Sequence, residues 1–181
     1  MTVGHIQTMS SRVVYENRWM RVREDDILHT SGRPGLYGVV EKSDFVVIAP
    51  VDRGLVRLVQ QYRYPVKGRF WEFPQGLRET QPNADPIDVA RAELAEETGL
   101  VAETLQCAGH LFECYGYSTQ GYRVFLATGL QPGRPNREET EADMISQAFA
   151  LADFEAMLRD GIIKDGTTVA AFGLLRLKGL L

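Results

Sequence analysis

Residues 92–100 read AELAEETGL and place three carboxylates within two turns of a predicted helix. Side chains three and four positions apart lie on the same side of an α-helix, so Glu93, Glu96 and Glu97 crowd one edge. Like charges at that spacing repel by about 0.2–0.5 kcal/mol per pair. A solvated helix face usually alternates the sign of its charges, and these three residues do not. The pattern therefore favours a bound cation over a solvated acidic face.

The residues around this stretch predict where the helix begins and ends. Asp85 suits an N-cap, Pro86 suits the first helical position, and Gly99 supplies the left-handed residue that often follows a helix. We therefore predict a helix over residues 86–98, with its glutamate edge accessible. An apolar stripe at helical spacing, which should pack against another element, is formed by Ile87, Ala90 and Leu94.

Outside this helix the chain alternates between strand-like, turn-like and helical patterns. Short strands and turns are expected from residue 13 to about residue 38, and a polar loop of unusual length, a feature often linked to function, spans residues 131–143. Two helices are expected near the end of the chain, at 151–160 and 167–178. The remaining predicted strands are 44–51, 54–63, 70–76, 105–113 and 122–130, and Pro74 and Gly76 are expected to stop the strand at 70–76.

Composition limits the classes of function. The chain has 181 residues, 44% apolar and 24% charged, with a net charge of −4, so we expect no nucleic-acid partner, which would call for a basic face. No apolar run approaches the length of a membrane span, and the first residues lack the apolar core of a signal peptide. Cys107 and Cys114 are expected as reduced thiols. We therefore predict a cytoplasmic protein with no membrane association.

The chemistry of the carboxylates points to a hard divalent cation. Mg²⁺ prefers carboxylate and carbonyl oxygens and often shares its site with substrate phosphates. We predict that Glu93, Glu96 and Glu97 bind Mg²⁺, with Mn²⁺ as an alternative.

The segment Gly76–Leu100 resembles the Nudix box: Gly, five residues, Glu, seven residues, then Arg-Glu-aliphatic-x-Glu-Glu-x-Gly-aliphatic. Its second half matches the pattern position by position, but seven residues replace five after the glycine. The first box glutamate falls on Ala84 and the box arginine on Ala92. In the family that arginine helps to orient the catalytic glutamates, and Arg91 points about 100° away from its position on a helix.

The resemblance extends to the branch that hydrolyses ADP-ribose and nucleoside diphosphate sugars, through residues 58–65, 70–76, 116–127 and 156–165. Gln120 stands where that branch usually has a glutamate. This resemblance implies an α+β protein: an α/β/α sandwich with a mixed sheet, preceded by a small antiparallel β subdomain. It also implies that residues 1–43 build a homodimer and that residues 44–181 form the hydrolase domain.

The same resemblance implies cleavage of the diphosphate bond of a nucleotide-sugar substrate, with ADP-ribose giving AMP and ribose 5-phosphate. Glu97 would serve catalysis through the metal. A glutamate of the loop at 131–143 would act as the general base; we favour Glu139, then Glu141, with Glu138 also in that loop. Arg63 would bind a substrate phosphate, and Glu72 would either face the cleft or pair with an arginine.

Other functions stay open at this level. Loss of the box residues at Ala84 and Ala92 also suits a non-catalytic module that senses ADP-ribose or a related nucleotide. Within the enzyme class, a GDP-sugar or a dinucleoside polyphosphate is an alternative substrate. Candidates for stacking on a base, although aromatic residues more often belong to a core, are Trp19, Tyr64, Trp71 and Tyr117.

Overall fold

The computed structural model of the protein describes residues 5–78, 84–133 and 143–181. The chain forms two compact units. The first consists of Met1–Asp44 together with Phe112–Gly121, and the second of Phe45–Leu111 together with Tyr122–Leu181. The functional division at residues 43 and 44 that the sequence suggests stays a prediction.

The first unit contains a three-stranded antiparallel sheet in the order β1-β2-β3. Its strands are β1 (Gln7–Glu16), β2 (Arg21–Leu28) and β3 (Pro34–Glu41). The turn between β1 and β2 is held by Asn17, whose side-chain oxygen accepts hydrogen bonds from the backbone N–H groups of Trp19 and Met20 at 2.8 and 2.9 Å. The predicted small antiparallel β subdomain is confirmed.

The second unit is built on a mixed sheet in the order β10-β5-β4-β9-β8, with β6 added to β5 and β7 to β4. Its central pair, β4 and β9, is parallel, whereas β5 pairs antiparallel with β4, β6 and β10. The seven strands are β4 (Phe45–Asp52), β5 (Leu55–Arg63), β6 (Gly68–Glu72), β7 (Gln75–Gly76), β8 (Leu100–Phe112), β9 (Gly121–Pro132) and β10 (Ile145–Ala150).

Helices cover both faces of this sheet: α1 (Pro86–Thr98) on one side, α2 (Leu151–Arg159) and α3 (Gly166–Leu177) on the other. The central strand β4 shows why, because its side chains alternate between two apolar clusters. Val46 and Ile48 pack with Leu94 of α1. Val47 and Ala49 belong to the cluster that contains Phe154 of α2 and Ala171 of α3. The predicted α/β/α sandwich with a mixed sheet is confirmed.

Helix α1 has the predicted bounds and caps. The side chain of Asp85 accepts a hydrogen bond from the Ile87 N–H at 3.1 Å, and Gly99 takes the left-handed conformation with φ 70°. One expectation was wrong: the glutamate edge is not openly accessible, because the short strand β7 packs against α1. Glu93 is 8% exposed and Glu97 is 1% exposed.

The predicted strand over residues 70–76 is broken into β6 and β7. Pro74 has no N–H to give to a neighbouring strand. The N–H of Phe73 donates to the side chain of Thr168 instead of to a strand. In the part of the chain that the structure describes, no helix is long and apolar enough to cross a membrane.

Candidate active site

The acidic edge of α1 lies against the short strand β7. Glu93 and Glu97 are one helical turn apart and almost fully buried, while the side chain of Glu96 is 25% exposed. The backbone N–H of Gln75 donates a hydrogen bond to Oε2 of Glu97 at 3.3 Å. The structure therefore brings the predicted glutamates together on one edge, and β7 fixes the most buried of them.

Gly76 allows this close approach of strand and helix. A Cβ atom at that position would lie 2.6 Å from the carboxyl carbon of Glu93, far inside van der Waals contact. A side chain at position 76 would force the Glu93 carboxylate or the strand to move, because that carboxylate occupies the space. This explains physically why a glycine begins the motif, even though two additional residues follow it.

A guanidinium group reaches the acidic edge from the strand side. Nη2 of Arg78 lies 3.3 Å from Oε1 of Glu96, and both side chains are only partly exposed. Position 92, where the motif has its arginine, carries Ala92, and Arg91 is exposed to solvent. Sequence reasoning missed Arg78 because it is 18 positions from its partner and next to a polar stretch of sequence.

Arg63 and Glu72 are paired with each other at the ends of β5 and β6. Nε of Arg63 donates to Oε2 of Glu72 at 3.1 Å, and Nη2 donates to Oε1. The amide of Gln61 donates to the same Oε1 at 2.8 Å. Glu72 is 1% exposed, whereas the Arg63 side chain is 40% exposed. The structure thus shows the arginine pairing considered for Glu72; the phosphate-binding role of Arg63 stays a prediction.

Burial and charge act in opposite directions on this ion pair. Burial raises the pKa of Glu72, and the neighbouring Arg63 offsets only part of that rise. For Arg63, burial is the largest effect and lowers the pKa, but the charge and hydrogen bonds of Glu72 together with the charges of Asp165 and Glu97 outweigh it, so the pKa ends above its usual value. The guanidinium therefore stays charged in a region of concentrated negative charge.

Two residues at the start of α3 also belong to this region, and no role for them was expected from sequence. Oδ2 of Asp165 accepts hydrogen bonds from the backbone N–H and the hydroxyl of Thr168 at 2.9 and 2.6 Å. The side-chain amide of Gln75 lies 3.5 Å from the same oxygen. The only sequence signal was an aspartate at an N-cap spacing before a helix.

The donor atoms of this edge suit a divalent metal ion, but they do not converge on one point. Carboxylate oxygens are the ligands that Mg²⁺ and Mn²⁺ prefer. Among the described residues, no three acidic, histidine or cysteine side chains are grouped so that they could hold a metal ion. Glu96 is drawn to Arg78, so an ion would be held by the buried Glu93 and Glu97, with Glu96 joining only on leaving Arg78.

The candidate base residues Glu138, Glu139 and Glu141 lie outside the described residues. Of the aromatic candidates, Trp71 packs edge-on against Phe149 at 5.0 Å and belongs to the core of the second unit. Trp19 is 53% exposed, carries the guanidinium of Arg18 over its ring at 4.2 Å, and lines an open cavity of about 380 Å³ in the first unit. The other two, Tyr64 and Tyr117, are exposed.

Comparison with known proteins gives matches along nearly the whole chain. The model of the nucleoside diphosphate sugar hydrolase N-terminal domain matches residues 6–40, and the model of the NUDIX domain matches residues 42–171. An ADP-ribose pyrophosphatase of Mycobacterium tuberculosis is 33% identical over 172 residues, which cover 94% of this chain and 83% of that protein.

Two further relatives and one solved structure agree in coverage. An ADP-ribose pyrophosphatase of Bacillus subtilis is 25% identical and a methanol dehydrogenase activator of Bacillus methanolicus is 26% identical; each match covers 95% of this chain and 93% of that protein. The crystal structure of an ADP compounds hydrolase matches with a TM-score of 0.87 over 99% of this chain and 98% of that chain, at 21% identity, which shows the fold. The sequence resemblance is confirmed: the chain belongs to the Nudix family of hydrolases.

Proposed function

We propose that the protein hydrolyses ADP-ribose to AMP and ribose 5-phosphate, with Mg²⁺ as the activating ion and Mn²⁺ as an alternative. The observation that carries the proposal is the pair of buried carboxylates, Glu93 and Glu97, on one edge of α1. Relatives named ADP-ribose pyrophosphatases support the choice of substrate. GDP-sugars and dinucleoside polyphosphates are the competing substrates within the same chemistry.

A requirement for a divalent metal is general in the Nudix family. When bound, such an ion neutralises the diphosphate and lowers the pKa of a water molecule that attacks phosphorus. The contribution of this chain is to hold Glu93 and Glu97 in fixed positions beneath β7, where both are buried. Their carboxylate oxygens are the ligands that such an ion prefers.

We assign Arg63 to a phosphate of the substrate. Its guanidinium is anchored to Glu72 through Nε and Nη2, yet the side chain is 40% exposed, so its remaining edge can meet a ligand. The planar guanidinium matches the geometry of a phosphate. Because the carboxylate of Glu72 already holds it in place, it loses little conformational freedom when it binds one. Glu72 therefore acts as the anchor of a binding arginine.

The general base is proposed from the segment that follows β9. Glu139 is the first candidate and Glu141 the second, because a base must withdraw the proton of the attacking water. Glu139→Gln should lower the turnover number without weakening Mn²⁺ binding. Added Mg²⁺ should not rescue it, whereas it should partly rescue a weakened metal ligand. Full activity of the Gln variants of Glu138, Glu139 and Glu141 would show that the base lies elsewhere.

The experiment that tests the function is a substrate panel. Purified protein is incubated with ADP-ribose, a GDP-sugar and a dinucleoside polyphosphate, each with Mg²⁺ or Mn²⁺, and the products are identified by chromatography. We expect monophosphates from all cleaved substrates and the highest kcat/KM with ADP-ribose. Tight binding of ADP-ribose without any AMP release would support the sensing module instead.

We also propose a cytoplasmic homodimer that forms through the first forty or so residues. The three-stranded sheet of the first unit exposes large apolar side chains, which usually mark an interaction surface. The most exposed among them include Met9 at 65%, Leu36 at 60%, Tyr15 at 55% and Val13 at 52%. The acidic net charge of −4 supports the expectation of no nucleic-acid partner.

A further inference from the structure

We propose that Asp165 and Thr168, at the start of α3, are positioning residues that fix the segment 73–75 and, through it, the carboxylate of Glu97. This inference rests on the proposed function, since Glu97 matters there as a ligand of the metal. It gives the last helix of the chain a role in the chemistry. Neither residue touches the substrate; Thr168 acts through the backbone of Phe73, and Asp165 acts through Thr168 and the side chain of Gln75.

The anchor itself is a pair of residues at the N-terminus of α3, the partly buried Asp165 and the buried Thr168. Asp165 is the N-cap, and one of its oxygens accepts both the backbone N–H of Thr168 at 2.9 Å and its hydroxyl at 2.6 Å. Thr168 is completely buried. Because the Thr168 hydroxyl donates its hydrogen bond to Asp165, the lone pairs of the hydroxyl oxygen are free to accept a hydrogen bond from another element.

That donor is the backbone N–H of Phe73, which lies 2.9 Å from Oγ1 of Thr168. Phe73 is buried at the break between β6 and β7, and the next residue, Pro74, has no N–H. A buried backbone N–H that lost this partner would carry a large desolvation cost. Thr168 therefore fixes the chain at the point where the strand pairing is interrupted.

The opposite end of the same segment, Gln75, contacts the acidic edge of α1. The backbone N–H of Gln75 donates to Oε2 of Glu97 at 3.3 Å, and its side-chain amide lies 3.5 Å from Oδ2 of Asp165. The carboxylate of Asp165 thus contacts Gln75 directly and Phe73 through Thr168, which are the two ends of the segment 73–75. A shift of that segment would move the hydrogen bond that orients Glu97.

Asp165 also acts on the site through its charge. Burial raises the pKa of Glu72, and the charge of Asp165 adds to that rise. The same charge helps to keep Arg63 protonated. A simple helix cap would need only the hydrogen bond that the Thr168 N–H donates to Asp165. The hydroxyl of Thr168 has no part in such a cap, so it is the atom that separates the two interpretations.

The test replaces that hydroxyl and leaves the cap in place. Thr168→Val removes the oxygen and keeps the shape, Thr168→Ser restores it, and Thr167→Val makes the same change at the neighbouring buried threonine, which is 6% exposed. Three readouts are taken on the full-length protein: amide hydrogen exchange of Phe73 and Gln75 by NMR, Mn²⁺ affinity by electron paramagnetic resonance, and kcat and KM for ADP-ribose.

For Thr168→Val we expect exchange at Phe73 to rise about tenfold, the scale of one lost buried hydrogen bond. Mn²⁺ affinity should fall several-fold, and kcat should fall about tenfold, with little change in KM, since misplacement of a reacting group acts mainly on the rate. Thr168→Ser and Thr167→Val should keep an exchange rate, a Mn²⁺ affinity and a kcat close to those of the original protein. If Thr168→Val does not fold, Thr168→Ala takes its place, because it introduces no methyl group next to the Phe73 N–H.

If the folded Thr168→Val protein keeps the amide exchange rate and the Mn²⁺ affinity of the original protein, the proposal is overturned. Equal losses of Mn²⁺ affinity and kcat in Thr167→Val would also overturn it, because they would indicate a merely structural effect. The proposed function fails separately. If the original protein cleaves none of the substrates in the panel, amide exchange and Mn²⁺ affinity still decide whether Thr168 positions Glu97.

Discussion

Three glutamates on one helical edge have three different surroundings. Glu97 is 1% exposed and bonded to the backbone of Gln75, Glu93 fills the space above Gly76, and Glu96 is drawn outward by Arg78. Burial removes hydration from Glu93 and Glu97 and restricts their movement, whereas the side chain of Glu96 stays 25% exposed. The contributions of the three to catalysis should therefore differ.

Glu97→Gln keeps the shape of the side chain and removes its charge. We expect turnover of ADP-ribose to fall at least about a hundredfold, in line with the loss of metal-ion catalysis, while the fold stays intact. Steady-state kinetics and circular dichroism measure the two effects. Asp88→Asn, which removes a charge from the exposed first turn of the same helix, is the matched control and should be close to full activity. A Glu97→Gln protein with unchanged turnover would remove Glu97 from the mechanism.

Glu72→Gln tests the electrostatics of the anchored arginine. Burial raises the pKa of Glu72 above its ordinary value of 4.5, so the folded protein holds this proton more tightly than the unfolded chain. The stabilising contribution is then complete below pH 4.5 and is lost as the pH rises through the higher pKa of the folded state.

Glutamine does not titrate. The unfolding free energy of the original protein minus that of the variant should therefore fall with rising pH above 4.5, by at most about 1.4 kcal/mol per pH unit. Urea unfolding at a series of pH values measures this difference. A difference that grows with pH would mean that the charge of Arg63 outweighs burial and that the pKa of Glu72 is lowered.

At the residue scale, the sequence predicted what lies close along the chain. The spacing of Glu93, Glu96 and Glu97 on one helix was sufficient to place them on one edge and to suggest a cation. Arg78 and Thr168 were missed, because their partners Glu96 and Phe73 are 18 and 95 positions away. Such contacts depend on how the elements pack, and a single sequence carries no local signal for them.

At the scale of elements, the packing of β7 on α1 is the contact that forms the site. Gly76→Ala places a Cβ 2.6 Å from the carboxyl carbon of Glu93, so the carboxylate or the strand must move. We expect Mn²⁺ affinity and kcat to fall together, by about tenfold or more, as a shift near 1 Å in a reacting group implies. Titration with Mn²⁺ and steady-state kinetics measure the two.

Gly173→Ala is the matched control for this change. Position 173 lies within α3, and a Cβ there meets open space, so the substitution should preserve activity and stabilise the protein by about 0.5–1 kcal/mol. If Gly76→Ala keeps full Mn²⁺ affinity, the close approach of strand and helix is not what holds Glu93 in place.

Elements with strong local signals were predicted well. Helix α1 was recognised with its bounds because Asp85, Pro86 and Gly99 mark both of its ends. Strand β10 was missed because ISQAFA is short and follows a polar stretch of sequence; its place is fixed by pairing with β5. Pro74 was recognised as a stop in the strand over 70–76, but the partner of the Phe73 N–H was missed because it lies on α3.

At the scale of the whole molecule, the first unit exposes more apolar surface than a separate small sheet is expected to leave in water. We expect light scattering to give about twice the 20.3 kDa mass of one chain at micromolar concentration. Val13→Glu, at a position that is 52% exposed in β1, should weaken the dimer because it buries a charge in the interface. Val101→Glu makes the same change at an exposed position of the second unit and should leave the dimer intact. A monomeric original protein would contradict the proposal.

The architecture of the second unit was predictable mainly from the resemblance of residues 76–100 and their neighbours to the Nudix family. Periodicity alone gave the order of elements, but it did not give the parallel pairing of β4 with β9, which joins residues 77 positions apart. The short strand β7 and the anchor on α3 follow from that arrangement. They became visible only once the sheet and its two helical layers were in place.

The most direct test of the central claim is the hydrolysis of ADP-ribose by the purified protein in the presence of Mg²⁺. Products are separated by chromatography and counted over time, with a chelator and the Glu97→Gln protein as parallel reactions. We predict that AMP and ribose 5-phosphate are released in equal amounts, and that both the chelator and the substitution reduce this release at least about a hundredfold. Bound ADP-ribose that stays intact with every divalent metal, or hydrolysis that continues unchanged in the Glu97→Gln protein, would contradict the account.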